Sequence, residues 1–251
     1  MTNDFDSCAL LGSGAVRCWG DNRIGQLMNP AVSGNSSVAV SVHRIGHVIA
    51  ISASAYHGCT VADDGSEGCW PPYVTAMTGA ATDAPSVATG NAHSCELVPG
   101  GRVQCQGANF HGELGDGTND SSEHGVLVSG LTDAVMLTAG MEFSCALRSG
   151  GGVACWGEGS FGQLGGGAST SSNVPVAVSG LANATAISAY RFSACAVEAG
   201  SVKCWGANDT GQLGDGTTSA LEPAGRRAHG HDVAHTGLHV RGRRARSCNS
   251  R

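Results

Sequence analysis

SCALRSGGGVACWG at residues 144–157 and ACAVEAGSVKCWG at 194–206 decide the fold of this chain. In both, a cysteine, an apolar residue, a glycine-bearing tip, an apolar residue and a second cysteine follow one another. Residues directly opposed across an antiparallel ladder share one index sum, and Cys145/Cys155 shares its sum with Leu147/Val153. Cys195/Cys204 and Val197/Val202 share theirs although this stretch is one residue shorter, so the deletion falls in the turn. A fixed ladder with a variable tip is the mark of a β-hairpin.

The same reading extends to SCALLGSGAVRCWG (7–20), GCTVADDGSEGCWP (58–71) and SCELVPGGRVQCQG (94–107). The predicted pairs are Cys8–Cys18, Cys59–Cys69, Cys95–Cys105, Cys145–Cys155 and Cys195–Cys204, with Cys248 left as a free thiol. Opposed strand residues place their Cα atoms ~4.5–5.5 Å apart, within disulfide range. Each closed loop of about ten residues contributes roughly 2–3 kcal/mol in the chain-entropy account. The second unit is the weakest, because Val61 there faces Glu67 rather than an apolar partner. Trp19, Trp156 and Trp205 follow the second cysteine and leave the strand on its other face, so both faces carry groups suited to burial. Zinc is the competing reading of so many cysteines, but the C-x2–4-C knuckles of zinc sites do not occur.

Two further segments recur. WGDNRIGQLM (19–28), QGANFHGELGDGT (106–118), WGEGSFGQLGGG (156–167) and WGANDTGQLGDGT (205–217) follow four of the hairpins, and the motif is missing after Cys69. Valine-rich stretches such as 36–53, 124–140 and 173–189 come next. A period of ~50 residues with several short β-type segments per unit predicts an all-β propeller or a related repeat. The repeats occupy residues 1–219, in about five units, the second one shortened.

Composition agrees. Glycine supplies 39 of 251 residues and charged residues only 14%. Glycine has no three-residue period, which excludes collagen, and no apolar run reaches the ~18 residues of a membrane helix. The net charge is −6, yet ALEPAGRRAHGHDVAHTGLHVRGRRARSCNSR (220–251) is rich in arginine and histidine. This segment has no alternation and no cysteine pair. It reads as a disordered or frameshifted tail, and its arginines offer the sequence's one prospect of holding nucleic acid. The start, MTNDFDSCALLG, has neither a basic nor an apolar leader segment and opens inside a repeat, so the expected true N-terminus precedes it. Stable disulfides point to an oxidising, extracellular or periplasmic setting.

The units C-A-L-x-x-x-G-x-V-x-C-W-G and G-Q-L-G-D-G-T resemble the regulator of chromosome condensation repeat family over residues 7 to about 219. They are most similar to its cysteine-paired bacterial branch, labelled BNR-repeat or alpha-tubulin-suppressor-like. The resemblance implies a β-propeller with four strands per blade, here incomplete or irregularly closed. It also implies an interaction platform, as in guanine-nucleotide exchange factors and propeller-type β-lactamase inhibitors.

Catalytic motifs are absent: there is no G-x-S-x-G, no P-loop and no S-x-D-x-G-x-T-W box. Asp116 and Asp215 in the G-D-G turns are candidates for calcium, although one carboxylate per loop suits a turn better. His57 and His93 stand where Phe143 and Ser193 stand in other units, which marks a packing position. The expected function is a non-enzymatic, exported platform without cofactor that binds a protein or surface ligand through loops on one face. Ile24, Phe110 and Phe161 in the G-Q-L segments are its candidate contacts. The alternative is the regulation of an enzyme, by inhibiting a hydrolase or driving nucleotide exchange.

Overall fold

The structure, a computed structural model, describes residues 6–23, 25–42, 46–54, 58–70 and 86–227, without the side chains of 221–227. Ile24, His57, Cys248 and the histidine and arginine run beyond 227 lie outside the described residues. All regular structure there is β, and no helix long and apolar enough to cross a membrane occurs among them.

Five antiparallel sheets follow one another in chain order. The first holds β1 (Asp6–Leu10), β2 (Val16–Gly20) and β3 (Ser36–Ser41). The second holds β4 (Val48–Ala53), β5 (Gly58–Ala62) and β6 (Glu67–Trp70). The third has four strands, β7 (Val87–Thr89), β8 (His93–Val98), β9 (Arg102–Gly107) and β10 (Ser122–Leu127). The fourth runs through β11 (Ala134–Ala139), β12 (Phe143–Arg148), β13 (Val153–Gly157) and β14 (Ser172–Ala177). The fifth runs through β15 (Ala184–Tyr190), β16 (Ser193–Glu198), β17 (Ser201–Gly206) and β18 (Leu221–Arg227). Each sheet is a meander, and the strands β4, β7, β11 and β15 touch one another in turn at the inner rim. This is the blade arrangement of a propeller, and the ring is open.

The hairpin ladders follow the registers read from the cysteines. Cys8 faces Cys18, Cys95 faces Cys105, Cys145 faces Cys155 and Cys195 faces Cys204, with Leu10/Val16, Leu97/Val103, Leu147/Val153 and Val197/Val202 opposed two places on. Cys59 faces Cys69, and Val61 faces Glu67. All five pairs are disulfide-bonded, with Cα atoms 4.0–4.1 Å apart. The one-residue deletion of the fifth unit sits in the tip. Glu198 pairs Ser201 directly, leaving Ala199 and Gly200 as a two-residue turn with φ of 49° and 74°. Positive φ at both central residues is the turn whose twist matches the strands it joins.

The sheet runs further than the repeat pattern promises. Leu221–Arg227 pair with β17 as the outer strand of the fifth blade, a few residues past the last recurring segment. The sequence there, LEPAGRR, has no alternation and contains a proline. Proline lacks the donor an inner strand needs, yet an outermost strand tolerates it; β14 carries Pro175 in the same outer place.

Cores lie between the blades. Leu97, Val103, Leu114, Val128, Leu131 and Trp156 cluster between the third and fourth sheets. Phe143, Leu147, Leu164, Val178, Leu181 and Trp205 do so between the fourth and fifth. Trp70 closes a smaller cluster with Val16, Leu27 and Val48 between the first two, whereas Trp19 is only half-buried. Because each blade is apolar on both faces, none can be solvated alone. The stack is the smallest unit that hides them.

Candidate functional site

In a four-stranded meander the inner-to-second turn and the third-to-outer loop emerge at one end, and the cysteine hairpin emerges at the other. The first end is where the G-Q-L segments lie. Three contacts tie loop to turn within a blade: the N–H groups of Ala108, Glu158 and Ala207 donate to the carbonyls of Ala92, Glu142 and Phe192 at 2.8, 2.8 and 2.9 Å. Two more tie turn to turn between blades, Asn91 N–H to the Met141 carbonyl at 2.7 Å and Met141 N–H to the Arg191 carbonyl at 2.8 Å. Loops and turns of the third, fourth and fifth blades therefore form one continuous face.

A buried asparagine shapes three of the four loops from within. Asn109 Oδ1 accepts the Leu114 N–H at 2.9 Å, while its Nδ2 donates to the carbonyls of Thr118 and Asp120. Asn208 repeats this with Leu213, Thr217 and Ser219, and Asn22 with Leu27 and Val32. In the fourth unit the place belongs to Gly159, whose Cβ would lie 2.0 Å from the Thr170 carbonyl oxygen; Glu158 takes over there, accepting from Ser160 N–H and Ser171 Oγ. The W-G-x-N spacing was visible in the sequence, but the clamp it builds was not anticipated.

The next blade's tryptophan then plugs the loop. Trp156 donates its indole N–H to the Glu113 carbonyl and Trp205 donates to that of Gln163, both at 2.8 Å. Gly115 and Gly165 make room for the rings: a Cβ on them would meet the indoles at 2.7 and 3.0 Å. The third blade has Gln106 where its neighbours have tryptophan. The second blade, which should receive that ring, is the one whose sequence lacks the G-Q-L loop.

Above this framework the loop tips diverge. His111 and Phe161 are equivalent, as are Glu142 and Phe192 in the adjoining turns. Between the fourth and fifth blades the pair is apolar, with the Phe161 and Phe192 rings 5.0 Å apart. Between the third and fourth it is polar, a histidine against carboxylates. His111 Nδ1 lies 3.4 Å from Glu113 and 3.9 Å from Glu142, and its Nε2 lies 3.4 Å from Glu158. Burial acts to raise the Glu158 carboxyl, but hydrogen bonds from Ser160 and Ser171 and the nearby imidazole outweigh it and hold the group below its usual range. Phe110, one place before His111, is 76% exposed, and Phe161 is 46% exposed.

Phe110 and Phe161 thus share the face without being equivalent positions. The Asp116 and Asp215 carboxylates accept from the N–H and hydroxyl of Thr118 and Thr217 at 2.8–2.9 Å, closing turns rather than pointing into a shared site. His93 is buried at 2% exposure against Ser144, and a Cβ at Gly90 would strike its ring, as one at Gly140 would strike Phe143. Cys59, Glu67 and Cys69 bring three potential metal ligands together, but both sulfurs are spent in the disulfide.

Residues 150–197 match the family described as the regulator of chromosome condensation (RCC1) repeat. No curated protein sequence matches the chain. Among solved structures, human WBSCR16 is similar at 20% identity and a TM-score of 0.75, over 90% of this chain and 65% of that one. Prp20p of Saccharomyces cerevisiae, described with its binding to Gsp1p and histones, gives 17% identity and a TM-score of 0.75 over 90% and 61%. The ectodomain of the Physcomitrella patens receptor kinase CR4 gives 24% and 0.53 over 81% and 50%. The chain spans less than two thirds of the length of each. One RCC1 repeat is matched in sequence at residues 150–197, and the propeller fold of these structures is shared over nine tenths of the chain, here as an open ring.

Proposed function

We propose that this chain is a non-enzymatic platform that binds a protein partner through the loop face, in an oxidising compartment outside the cytosol. The observation that carries the reading is the contrast within that face. Its backbone is clamped by Asn109 and Asn208 and tied from blade to blade, while Phe110 and Phe161 project from it into solvent. A rigid base with variable exposed tips is how a scaffold positions contact residues. Five disulfides support the oxidising setting.

The test is affinity capture from native cells, comparing the protein with a Phe110→Ser/Phe161→Ser variant of equal thermal stability. A partner retained by the first and lost by the second supports the platform; equal capture by both overturns it. Turnover on a panel of glycosides would overturn the non-enzymatic reading. In protein isolated from its source, alkylation before and after reduction should find ten protected thiols; eleven free ones would overturn the oxidising setting.

The second reading, regulation of an enzyme, rests on the likeness to Prp20p and its described binding to Gsp1p. It predicts that the captured partner is a hydrolase or a GTPase whose turnover or nucleotide release changes on addition of the chain.

A further inference from the structure

The loop face has a strong charge bias. In the loops and turns of the third to fifth blades, Glu113, Asp116, Asp120, Glu142, Glu158, Asp209 and Asp215 stand against one arginine, Arg191. The opposite end differs, for there Arg148 pairs Asp133 at 2.8 Å and Lys203 pairs Glu198 at 2.5 Å. On the loop face three carboxylates converge between the third and fourth blades around the His111 imidazole. His111 and Glu142 are both partly open to solvent, at 41% and 36% of their side chains. The exposed Phe110 ring stands next to this cluster in sequence, and the Phe161–Phe192 pair occupies the equivalent seat one blade on.

Resting on the platform reading, we infer that the third-to-fourth blade junction receives an arginine or lysine from a basic segment of the protein partner. The imidazole already shows the shape the seat accepts, a planar ring with a nitrogen toward carboxylates on each of two sides. A guanidinium offers the same geometry with more donors and binds carboxylates bidentately. The neighbouring phenylalanines offer ring faces to its delocalised charge and apolar surface to its methylene stem. A nucleic acid is disfavoured, since its phosphates would meet seven carboxylates.

The experiment measures fluorescence anisotropy of a labelled peptide of alternating arginine and glycine, with a glutamate–glycine peptide as counterpart, on the intact oxidised protein. The arginine peptide should bind and weaken with added salt, and the glutamate peptide should not bind. Phe110→Ser/Glu142→Gln should weaken the arginine peptide by about tenfold, as expected for loss of a ring contact and a charge partner. Asp63→Lys, in the hairpin turn at the opposite end, should leave binding within about twofold. Absence of binding overturns the inference, as does equal weakening by Asp63→Lys, which would mean diffuse attraction. Tight binding of a single-stranded oligonucleotide to this face overturns it as well. If capture of a partner depends on Phe110 and Phe161 but the arginine peptide does not bind, only the basic-segment inference falls. If capture ignores those residues, the platform falls first.

Discussion

Trp156 and Glu113 are 43 residues apart and in different blades, yet the indole N–H of the first donates to the backbone carbonyl of the second at 2.8 Å. Trp205 and Gln163 repeat the bond one blade on. Both indoles are fully buried, so the bond is made where a missing donor cannot be replaced by water. Replacing Trp205 by Phe keeps most of the apolar contact and removes the donor, with an expected loss of about 1–2 kcal/mol. Trp205→Ala also opens a cavity and should cost about 3–5 kcal/mol. Urea unfolding of the oxidised protein measures both, and a Phe variant as damaging as the Ala variant would show that the hydrogen bond is not the smaller of the two contributions.

Ala199 holds φ at 49° in the two-residue turn of the fifth hairpin. A left-handed conformation costs an L-residue roughly 1–2 kcal/mol, and glycine avoids that while losing somewhat more chain entropy on folding. Ala199→Gly should therefore stabilise the protein by about 0.5–1 kcal/mol. The residue is exposed, so no packing is lost, and a rise in melting temperature is the expected reading.

Glu198 accepts the N–H groups of Ala182 and Asn183, both at 2.9 Å, and faces Lys203. The Ala182 backbone bond, then Lys203 and the Asn183 bond, lower its carboxyl from 4.5 to about 2. A depressed folded value contributes stability that is present above the unfolded value and lost as pH falls. The melting temperature should accordingly drop between about pH 4.5 and 2. In Glu198→Gln this part of the decline should be missing; unchanged acid sensitivity would count against the clip.

Glu96 titrates the other way. It is fully buried beside Gln104, which donates to its Oε1, and burial pushes its carboxyl above 4.5. A raised folded value contributes stability below the unfolded value, and that contribution is lost as pH rises through the folded one. Glu96→Gln keeps an acceptor for Gln104 and never ionises. It should be more stable than the native protein at pH 7, and the advantage should vanish as pH falls and Glu96 takes up its proton. Melts of the two proteins at pH 3.5 and 7 decide this.

The hairpins were fully legible because both partners of each contact lie within about a dozen residues and carry their own index. Cys145 announces Cys155, and Leu147 announces Val153. β18 was not legible, since an outer strand is hydrogen-bonded on one side only and a segment with proline and no alternation can fill it. The loop face was half legible. The recurrence of G-Q-L located it and drew attention to Phe110 and Phe161, but it gave no hint that Glu142 and Glu158 would close on His111. Those carboxylates come from the following unit, and only the rotation between blades brings them together. Asn109 and Asn208 look like ordinary turn residues in the sequence, and their clamping role depends on carbonyls nine and eleven places away.

Gln106 has a consequence for how such a chain can grow or shrink. Trp156 and Trp205 each take their acceptor from the loop of the preceding unit. Tandem duplication of a single unit therefore supplies plug and socket together, and no third element must adapt. Where one unit sheds its socket, the very next residue set free to vary is the plug, and a glutamine now stands there. Blade number is, on this account, a quantity that ordinary recombination can change one step at a time.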